Sequence, residues 1–252
     1  MFFNLSEFCS MTTQSSKVAV ITGGNSGIGY ATAKELTGKG VTVYITGRRR
    51  EAVEQAAKEV KATGLIADQS KLSDIDSLVA EVAQREQKID LLLINAGITK
   101  FSDIEHATEG MFDEIMNVNF KGAYFTLSKF IPLLKDGASV VLLSSTSASI
   151  SPPTASVYAA SKAALNAVMK IAAIELASRG IRVNAVSPGP VVTAILNKAG
   201  LNEALEAQMV KTIPLGRMGE AHEVAKVISF LFSEAASFVT GSEYLVDGGQ
   251  CA

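Results

Sequence analysis

Short apolar segments alternate with longer helical patterns along almost the whole of this 252-residue chain. The apolar segments are bounded by Gly, Asp or Asn and predict strands at 17–22, 41–46, 64–67 (the weakest), 89–95, 139–144, 181–187 and 243–246. The patterns between them predict helices at 28–37, 51–63, 72–85, 119–134, 158–178 and 220–232. Near-continuous apolar runs are typical of parallel strands covered on both faces. The alternation therefore predicts an α/β fold, a doubly wound, seven-stranded, mostly parallel sheet with helices on both faces.

The chain shows no internal repeat and no low-complexity linker, so we expect one domain over residues 17–252. A hydrophobic fraction of 48% is enough for a sizeable core. Residues 1–16 are expected to form a disordered leader, and either Met1 or Met11 could be the start. Residues 191–215 follow a Pro-Gly-Pro turn and break the alternation. They predict a mobile lid, with an ordinary surface helical hairpin as the alternative.

Charge and composition exclude several classes of protein. The 23 basic and 25 acidic residues leave a net charge of −2, which gives no electrostatic footprint for nucleic acid. Cys9 and Cys251 predict no disulfide framework, and His106 and His222 have no neighbours with metal-site spacing. No apolar run reaches the roughly 18 residues that a membrane span needs, and no signal-peptide pattern is seen. We therefore expect no metal, no membrane contact and a cytoplasmic protein.

A glycine-rich segment follows the first predicted strand and opens the first predicted helix. It reads Thr-Gly-Gly-Asn-Ser-Gly-Ile-Gly over residues 22–29. Glycines allow a tight turn and a close backbone approach, and the helix N-terminus offers unpaired N–H groups, so the segment predicts a phosphate cradle. The alternative is a simple turn. The residues that we expect to contact a dinucleotide here are Gly23, Asn25, Ser26, Gly27, Ile28 and Gly29.

Tyr158 and Lys162 lie four residues apart on a predicted helix, and hence on one face of it. A free phenol has a pKa of about 10, and a neighbouring ammonium favours the phenolate, so the pair suits general acid–base chemistry. The spacing alone would occur by chance in many chains. Ser145 lies at the end of a predicted strand, where its hydroxyl could hold a carbonyl oxygen, although the serine-rich segment could also be only a polar loop.

In the order of its motifs, the chain from Lys17 to Gly249 strongly resembles the short-chain dehydrogenase/reductase family in its single-domain, Rossmann-like form. The motifs that carry the resemblance are the glycine loop, Asn95-Ala96-Gly97, Asn119 within NVNFKG, Ser145, Tyr158-x-x-x-Lys162, Pro188-Gly189 and Asp247-Gly248-Gly249. Each is weak alone, but the ordered set is specific. Ile94 departs from the Asn that many relatives carry there, and it is not a catalytic position.

The resemblance implies a role for each residue that the motifs match. Tyr158 would exchange the proton with the carbonyl or alcohol oxygen, Lys162 would lower the pKa of Tyr158 and bind the nicotinamide ribose, and Ser145 would orient the carbonyl. Asn119 would support a water chain that returns the proton through Lys162. The remaining cofactor contacts implied are Asn95, Ala96 and Gly97 near the ribose, Asp68 at the adenine, and Pro188, Gly189, Val191 and Thr193 at the carboxamide and pyrophosphate.

The leading functional interpretation is a nicotinamide-dependent ketone reductase or alcohol dehydrogenase, and a 3-oxoacyl thioester reductase is the alternative. A non-catalytic dinucleotide-binding regulator and a purely structural oligomer also stay open. Five apolar residues suggest a hydrophobic substrate face, or only core packing: Ile150, Val157, Val191, Ile195 and Leu196. The alanine-rich helix at 158–178 and the resemblance together imply a homotetramer.

The end of the second predicted strand indicates which dinucleotide is preferred. An acidic residue there would hydrogen-bond the adenosine ribose and repel a 2′-phosphate. This chain reads Thr-Gly-Arg-Arg-Arg over residues 46–50 and has no acid before Glu51. Arg48 can offer a charged, planar fork to a phosphate. We therefore expect NADP(H) to be preferred over NAD(H), with NAD(H) still possible.

Overall fold

The computed structural model describes residues 16–193 and 203–252 of the chain. All seven predicted strands occur in one sheet: β1 (Val18–Ile21), β2 (Thr42–Gly47), β3 (Thr63–Ile66), β4 (Ile89–Ile94), β5 (Leu134–Leu143), β6 (Arg182–Pro188) and β9 (Glu243–Val246). The strand order is β3-β2-β1-β4-β5-β6-β9, and every neighbouring pair is parallel. The predicted doubly wound fold is confirmed.

Helices cover both faces of this sheet. The described helices are α1 (Gly27–Thr37), α2 (Arg50–Val60), α3 (Leu72–Arg85), α4 (Glu109–Met116), α5 (Ala123–Phe130), α6 (Ser147–Ile150), α7 (Ser156–Glu175), α8 (Glu203–Lys211) and α9 (Ala221–Leu231). Apolar residues of α1, α2 and α9 pack in one core layer, and those of α3, α5 and α7 pack in the other.

The two core layers follow from the side-chain alternation along each strand. In β1, Val18 and Val20 belong to the layer under α3, α5 and α7, whereas Ala19 and Ile21 face α1, α2 and α9. All four residues are buried. Because both faces of the strand are covered, β1 is apolar throughout, and this is the pattern from which the sequence predicted a parallel sheet.

The predicted helix at 119–134 is present, but it belongs to a longer helical segment. The chain forms α4, a π-helical turn over Asn117–Gly122, then α5, and a final 3-10 turn over Ile131–Leu133. Strand β5 already starts at Leu134, which pairs with Ile89 before the register jumps to Leu91 opposite Ser139. That irregular start contains Gly137 at φ +80° and looks like a turn in the sequence. Strand β5 is therefore five residues longer at its N-terminal end than the alternation indicated.

Helix α7 is long and apolar enough, by length and composition alone, to cross a membrane. Its inner face lies in the core of the domain, where Leu165, Met169 and Ala172 are buried. The helix therefore has the character of a core helix of this fold.

Part of the predicted lid falls within the described residues. Val191–Val192 forms the short strand β7, which pairs in parallel with β8 (Gly219–Glu220), and α8 follows at Glu203–Lys211. The remainder of the predicted lid, residues 194–202, and residues 1–15 of the predicted leader lie outside the described residues. Both the lid and the leader stay predictions.

Candidate active site

A cavity of about 750 Å³ opens at the edge of the sheet where the parallel strands end. The strand order places β1 beside β4, and the chain leaves these two strands in opposite directions. Doubly wound sheets bind ligands in the crevice at this switch point. Residues that follow β4, β5 and β6 line the cavity together with residues of α1, α7 and α8.

The glycine loop connects β1 to α1 with two residues in the left-handed region of backbone conformation. Gly23 has φ +64° and Gly27 has φ +55°, and L side chains rarely adopt such values. A Cβ at Gly29 would lie 2.5 Å from Asn95 Nδ2 and from the Gly23 carbonyl oxygen. No acidic residue stands in the first turn of α1, and the side chain of its N-cap residue makes no capping hydrogen bond. The first turn of α1 therefore keeps N–H groups available for an anion.

Asn95 holds the glycine loop in this shape. Its side-chain amide donates to the carbonyl oxygens of Thr22, at 2.8 Å, and of Gly23, at 3.0 Å. The backbone N–H groups of Asn95 and Ala96 both donate to Thr22 Oγ1 at 3.0 Å. Asn95 also lines the cavity, so it contributes both to the loop and to the surface that a ribose would meet.

Tyr158, Lys162 and Ser145 meet in the same cavity. Lys162 Nζ lies 5.9 Å from the centroid of the Tyr158 ring and donates a 2.7 Å hydrogen bond to the Leu143 carbonyl oxygen at the end of β5. Ser145, two residues beyond β5, accepts from the Ser147 N–H at 3.2 Å, and its hydroxyl lies close enough to the Tyr158 phenol to affect the pKa of that group. The arrangement can hold a carbonyl oxygen between a hydroxyl and a phenol, with an ammonium beside the phenol.

The sequence-based expectation is that Lys162 lowers the pKa of Tyr158, but in the structure the pKa of Tyr158 is raised. Burial raises the pKa of Tyr158, and the Ser145 hydroxyl lowers it in part. Burial also lowers the pKa of Lys162 from 10.5 to about 8. The reason is that the Lys162 side chain is only 4% exposed and its ammonium is directed to the Leu143 carbonyl. In this structure, Tyr158 is a protonated donor at neutral pH.

Asn119 lies in the π-helical turn and is fully buried. Its Oδ1 accepts from the Ile98 N–H at 2.8 Å, and its Nδ2 donates to the Ile98 carbonyl at 2.9 Å and to Ser161 Oγ at 3.2 Å. The side chain thus ties the loop after β4 to α7. A Cβ at Gly97 would lie 3.3 Å from Asn119 Oδ1 and 3.5 Å from Lys162 Nζ, so this glycine permits the close approach.

The residues after β6 form the opposite wall of the cradle. Pro188 ends β6, and its carbonyl accepts from the Thr146 N–H at 3.0 Å. A Cβ at Gly189 would lie 2.9 Å from Asp247 Cβ. Val191 is buried, and Thr193 Cγ2 lies 3.4 Å from the position of a Cβ on Gly27. The structure therefore brings Thr193 against the glycine loop, as a residue at the pyrophosphate would be.

Arg48 and Asp68 lie beyond the ends of β2 and β3. Gly47 packs against the glycine loop so tightly that a Cβ there would lie 2.6 Å from Asn25 Oδ1, and Arg48 is the next residue. Arg48 is exposed and has no hydrogen-bond or ion-pair partner among the described residues, whereas Arg50 pairs with Glu54 at 3.3 Å. One oxygen of Asp68 accepts from the backbone N–H and the hydroxyl of Ser70.

The predicted hydrophobic substrate face is present only in part. Ile150 and Val191 line the cavity, whereas Val157 is buried and lies outside its lining. Ile195 and Leu196 lie outside the described residues.

Sequence reasoning missed several residues that shape the site. Gln69 is buried and donates to the carbonyl oxygens of Ala96 and Val118, both at 3.0 Å, which links the loops after β3 and β4. Gln250 lines the cavity and bridges Thr146 to Thr212 through hydrogen bonds of 3.2 and 2.9 Å. Phe101 also lines the cavity. A lone glutamine or phenylalanine in a loop carries no spacing signal, so no pattern could have identified them.

Comparison with known proteins finds reductases and oxidoreductases that match nearly the whole chain. Residues 23–250 match the family model described as enoyl-(acyl carrier protein) reductase. An uncharacterised oxidoreductase of Methylorubrum extorquens is 37% identical over 246 residues, with 95% of this chain and 99% of the relative covered. The human dehydrogenase/reductase SDR family member 4 is 34% identical, with coverages of 92% and 87%.

Comparison with solved structures also finds a reductase with the same fold. The structure of a 3-ketoacyl-(acyl-carrier-protein) reductase from Brucella melitensis, complexed with NADH, superposes with a TM-score of 0.88 at 34% identity. The superposition covers 94% of this chain and 98% of that protein.

Proposed function

This chain belongs to the short-chain dehydrogenase/reductase family, and we propose that it is an NADP(H)-dependent ketone reductase or secondary-alcohol dehydrogenase. As a member of that family, it is an NAD(P)-dependent oxidoreductase that acts on carbonyl and CH–OH groups. The observation that carries the proposal is the meeting of Ser145, Tyr158 and Lys162 in a cavity next to the glycine loop.

The residues of the site fit a nicotinamide dinucleotide. Gly23 and Gly27 have positive φ values, and α1 begins without a side-chain cap, so the loop offers backbone N–H groups and room for a pyrophosphate. Asn95, Gly97, Gly189 and Ile28 of α1 line the adjoining cavity, where the ribose and nicotinamide would be held. When it is bound, the dinucleotide supplies or accepts the hydride.

The protein's own residues handle the proton and the carbonyl group. Tyr158, kept protonated by burial, donates its phenol proton to the substrate oxygen, and Ser145 hydrogen-bonds the same oxygen. The Lys162 ammonium, near the phenol, stabilises the negative charge that develops on Tyr158 Oη. Return of the proton through Lys162 and a water chain at Asn119 is part of the proposal, and the position of Asn119 beside Gly97 supports it.

Arg48 supports NADP(H) as the preferred cofactor. It follows Gly47, which contacts Asn25 of the glycine loop, so its guanidinium can reach the adenosine end of the cradle. Its exposure and lack of a described partner leave the fork available for a 2′-phosphate. The Brucella relative was solved with NADH, and this leaves NAD(H) as the competing choice.

The second candidate is a 3-oxoacyl thioester reductase. It is favoured by the 34% identity to the Brucella 3-ketoacyl-(acyl-carrier-protein) reductase over nearly the full length of both chains. The two candidates share the reacting groups and differ only in what extends beyond the ketone. A non-catalytic regulator is disfavoured because all of Asn119, Ser145, Tyr158 and Lys162 are present.

We also propose that the protein is a cytoplasmic homotetramer. Helix α7 leaves Ile171 and Ile174 with 55% and 78% of their surfaces exposed, and Tyr124 of α5 is 45% exposed. Such apolar side chains on neighbouring helices suit contact with the same face of a second copy.

The proposal is tested by measuring NADPH and NADH oxidation with a broad panel of ketones and 3-oxoacyl thioesters. We expect turnover of ketones, with kcat/KM at least tenfold higher for NADPH than for NADH. Arg48→Asp should reverse this preference. Arg85→Asp makes the same charge change near the start of β4, at the opposite edge of the sheet, and should leave it unaltered.

Each alternative gives a different result in the same assay. Equal or NADH-favouring efficiency in the wild type contradicts the cofactor assignment. Turnover of thioesters alone establishes the second candidate, and cofactor binding without any turnover establishes the regulator.

A further inference from the structure

The substrate cavity has an apolar wall formed by Phe101, Ile150, Pro152 and Pro153. Phe101 is 44% exposed and Ile150 is 41% exposed in a structure whose other large apolar side chains are mostly buried. Large apolar side chains that remain exposed inside a concave site mark a surface that a ligand covers.

The apolar wall is held in a fixed conformation. Pro152 and Pro153 have locked φ angles, and the flanking residues Ser151 and Thr154 have φ values of +48° and +66°. A β-branched residue such as Thr154 rarely adopts a positive φ, and such strain is concentrated at functional sites. The Thr154 carbonyl accepts from the Ser102 N–H at 2.8 Å, which fastens this segment to the residue after Phe101.

The described lining of the cavity has almost no charged side chain that could pair with a charged substrate. Lys162 is the one formally charged residue among the described residues that line the cavity. Its ammonium is already engaged with the Leu143 carbonyl and lies beside Tyr158. A carboxylate or phosphate against the apolar wall would find no free counter-ion among the described lining residues, and burying an unpaired charge is strongly unfavourable.

We propose that the substrate is an uncharged ketone whose larger, apolar substituent packs against Phe101, Ile150 and the Pro152–Pro153 segment. Ketones that end in a carboxylate at that position are rejected. The inference rests on the proposed function and defines the substrate class of the same site.

The test uses methyl ketones that differ only in the group facing the apolar wall. The neutral series is 2-butanone, 2-hexanone and 2-octanone, and 7-oxooctanoate replaces the terminal methyl of 2-octanone by a carboxylate. Each buried methylene can raise kcat/KM by up to about fourfold. We expect at least a tenfold rise from 2-butanone to 2-octanone, and a value for 7-oxooctanoate at least tenfold below that of 2-octanone. The methyl ester of 7-oxooctanoate, which is neutral, should recover most of the loss.

Two variants test whether the apolar wall causes the preference for neutral ketones over 7-oxooctanoate. Phe101→Lys should raise the ratio of kcat/KM for 7-oxooctanoate over 2-octanone at least tenfold, because it supplies a counter-ion. Phe112→Lys is the matched control, since Phe112 is 49% exposed but lies on α4, outside the cavity lining. Both side chains are about half exposed, so neither substitution leaves a cavity in the hydrophobic core.

The outcomes separate this inference from the function on which it rests. Turnover that does not depend on chain length, or a preference for 7-oxooctanoate in the wild type, overturns the inference while leaving a ketone reductase. An unchanged ratio in Phe101→Lys overturns the role of the wall. Cofactor binding with no turnover of any ketone contradicts the proposed function and the inference together.

Discussion

At the scale of single residues, the chemistry of the site depends on two buried groups whose pKa values move in opposite directions. Burial raises the pKa of Tyr158 and lowers that of Lys162 to about 8. The phenol therefore keeps its proton over the physiological range, while the ammonium loses its charge just above it. Below pH 8, a neutral donor stands beside a positive charge, and this is the combination that carbonyl reduction needs.

The pH dependence of ketone reduction follows from Lys162. Lys162 is positive below its pKa and neutral above it, so kcat/KM should fall about tenfold per pH unit above pH 8. The raised pKa of Tyr158 removes the phenol as the cause of this alkaline limb. In Lys162→Arg the guanidinium stays charged, and the limb should disappear even if the absolute activity is low. A flat profile from pH 6 to 9.5 in the wild type, or the same limb in Lys162→Arg, would contradict this account.

The candidate reacting residues could be predicted from the sequence, whereas Gln69 and Gln250, which shape the site, could not. The order of the motifs was specific enough to select Ser145, Tyr158 and Lys162 from many serines, tyrosines and lysines, and the structure brings these three into one cavity. The direction of the Tyr158 pKa shift could not be predicted, because it depends on burial and not on sequence spacing. Gln69 and Gln250 shape the site through hydrogen bonds to residues that are distant in the sequence, and no local pattern indicates such bonds.

At the scale of elements, the central strands were predictable because they are predominantly apolar on both faces, as all four residues of β1 and five of the six residues of β4 are. Between β4 and β5 the sequence predicted only the helix at 119–134, and it predicted neither α4 nor the π-helical turn. Helix α4 carries a cap signal, since Thr108 Oγ1 accepts from the Met111 N–H at 3.2 Å, but its sequence has only a short apolar pattern. The π-helical turn at Asn117–Gly122 has no periodicity of its own, and it places Asn119 between Ile98 and Ser161.

The junction of β1 and α1 gives a prediction about the glycine loop. In Gly29→Ala the new methyl group would lie 2.5 Å from Asn95 Nδ2 and from the Gly23 carbonyl. We expect the free energy of unfolding to fall by about 1–3 kcal/mol, with at least a tenfold weakening of NADPH binding because the loop is displaced. Denaturant unfolding and fluorescence titration measure the two effects.

Gly110→Ala is the matched control for this change. Gly110 is on α4, and a Cβ there would meet nothing within 4 Å, so stability should be unchanged or slightly higher. Wild-type affinity for NADPH in Gly29→Ala would show that the loop does not hold the cofactor.

At the scale of the whole molecule, the exposed apolar residues of α5 and α7 lie away from the substrate cavity. Tyr124, Ile171 and Ile174 do not line it. The site and the proposed subunit contact are therefore separate surfaces of one sheet-and-helix body, and α7 contributes to both through different faces.

Assembly can be tested on α7 without altering the site. Light scattering on the wild type should give a tetramer at micromolar concentration. Ile174→Glu should produce smaller species, because an unpaired carboxylate would be buried in the contact. Ile104→Glu is the control, since Ile104 is 82% exposed and lies in the loop before α4, and it should stay tetrameric. A monomeric wild type would overturn the assembly proposal and leave the enzymatic one intact.

The central claim is that this cavity transfers a hydride between NADP(H) and a ketone, with Tyr158 as the proton donor. The most direct measurement supplies NADPH deuterated at C4, in each of the two prochiral positions in turn, and analyses the alcohol formed from 2-octanone. One of the two labelled cofactors should give 2-octanol with a single deuterium on the carbinol carbon. Tyr158→Phe should lower this transfer by on the order of 10²–10⁴-fold, whereas Tyr124→Phe, at an exposed tyrosine, should not change it. Alcohol without deuterium from either cofactor, or transfer by Tyr158→Phe within tenfold of the wild type, would contradict the account.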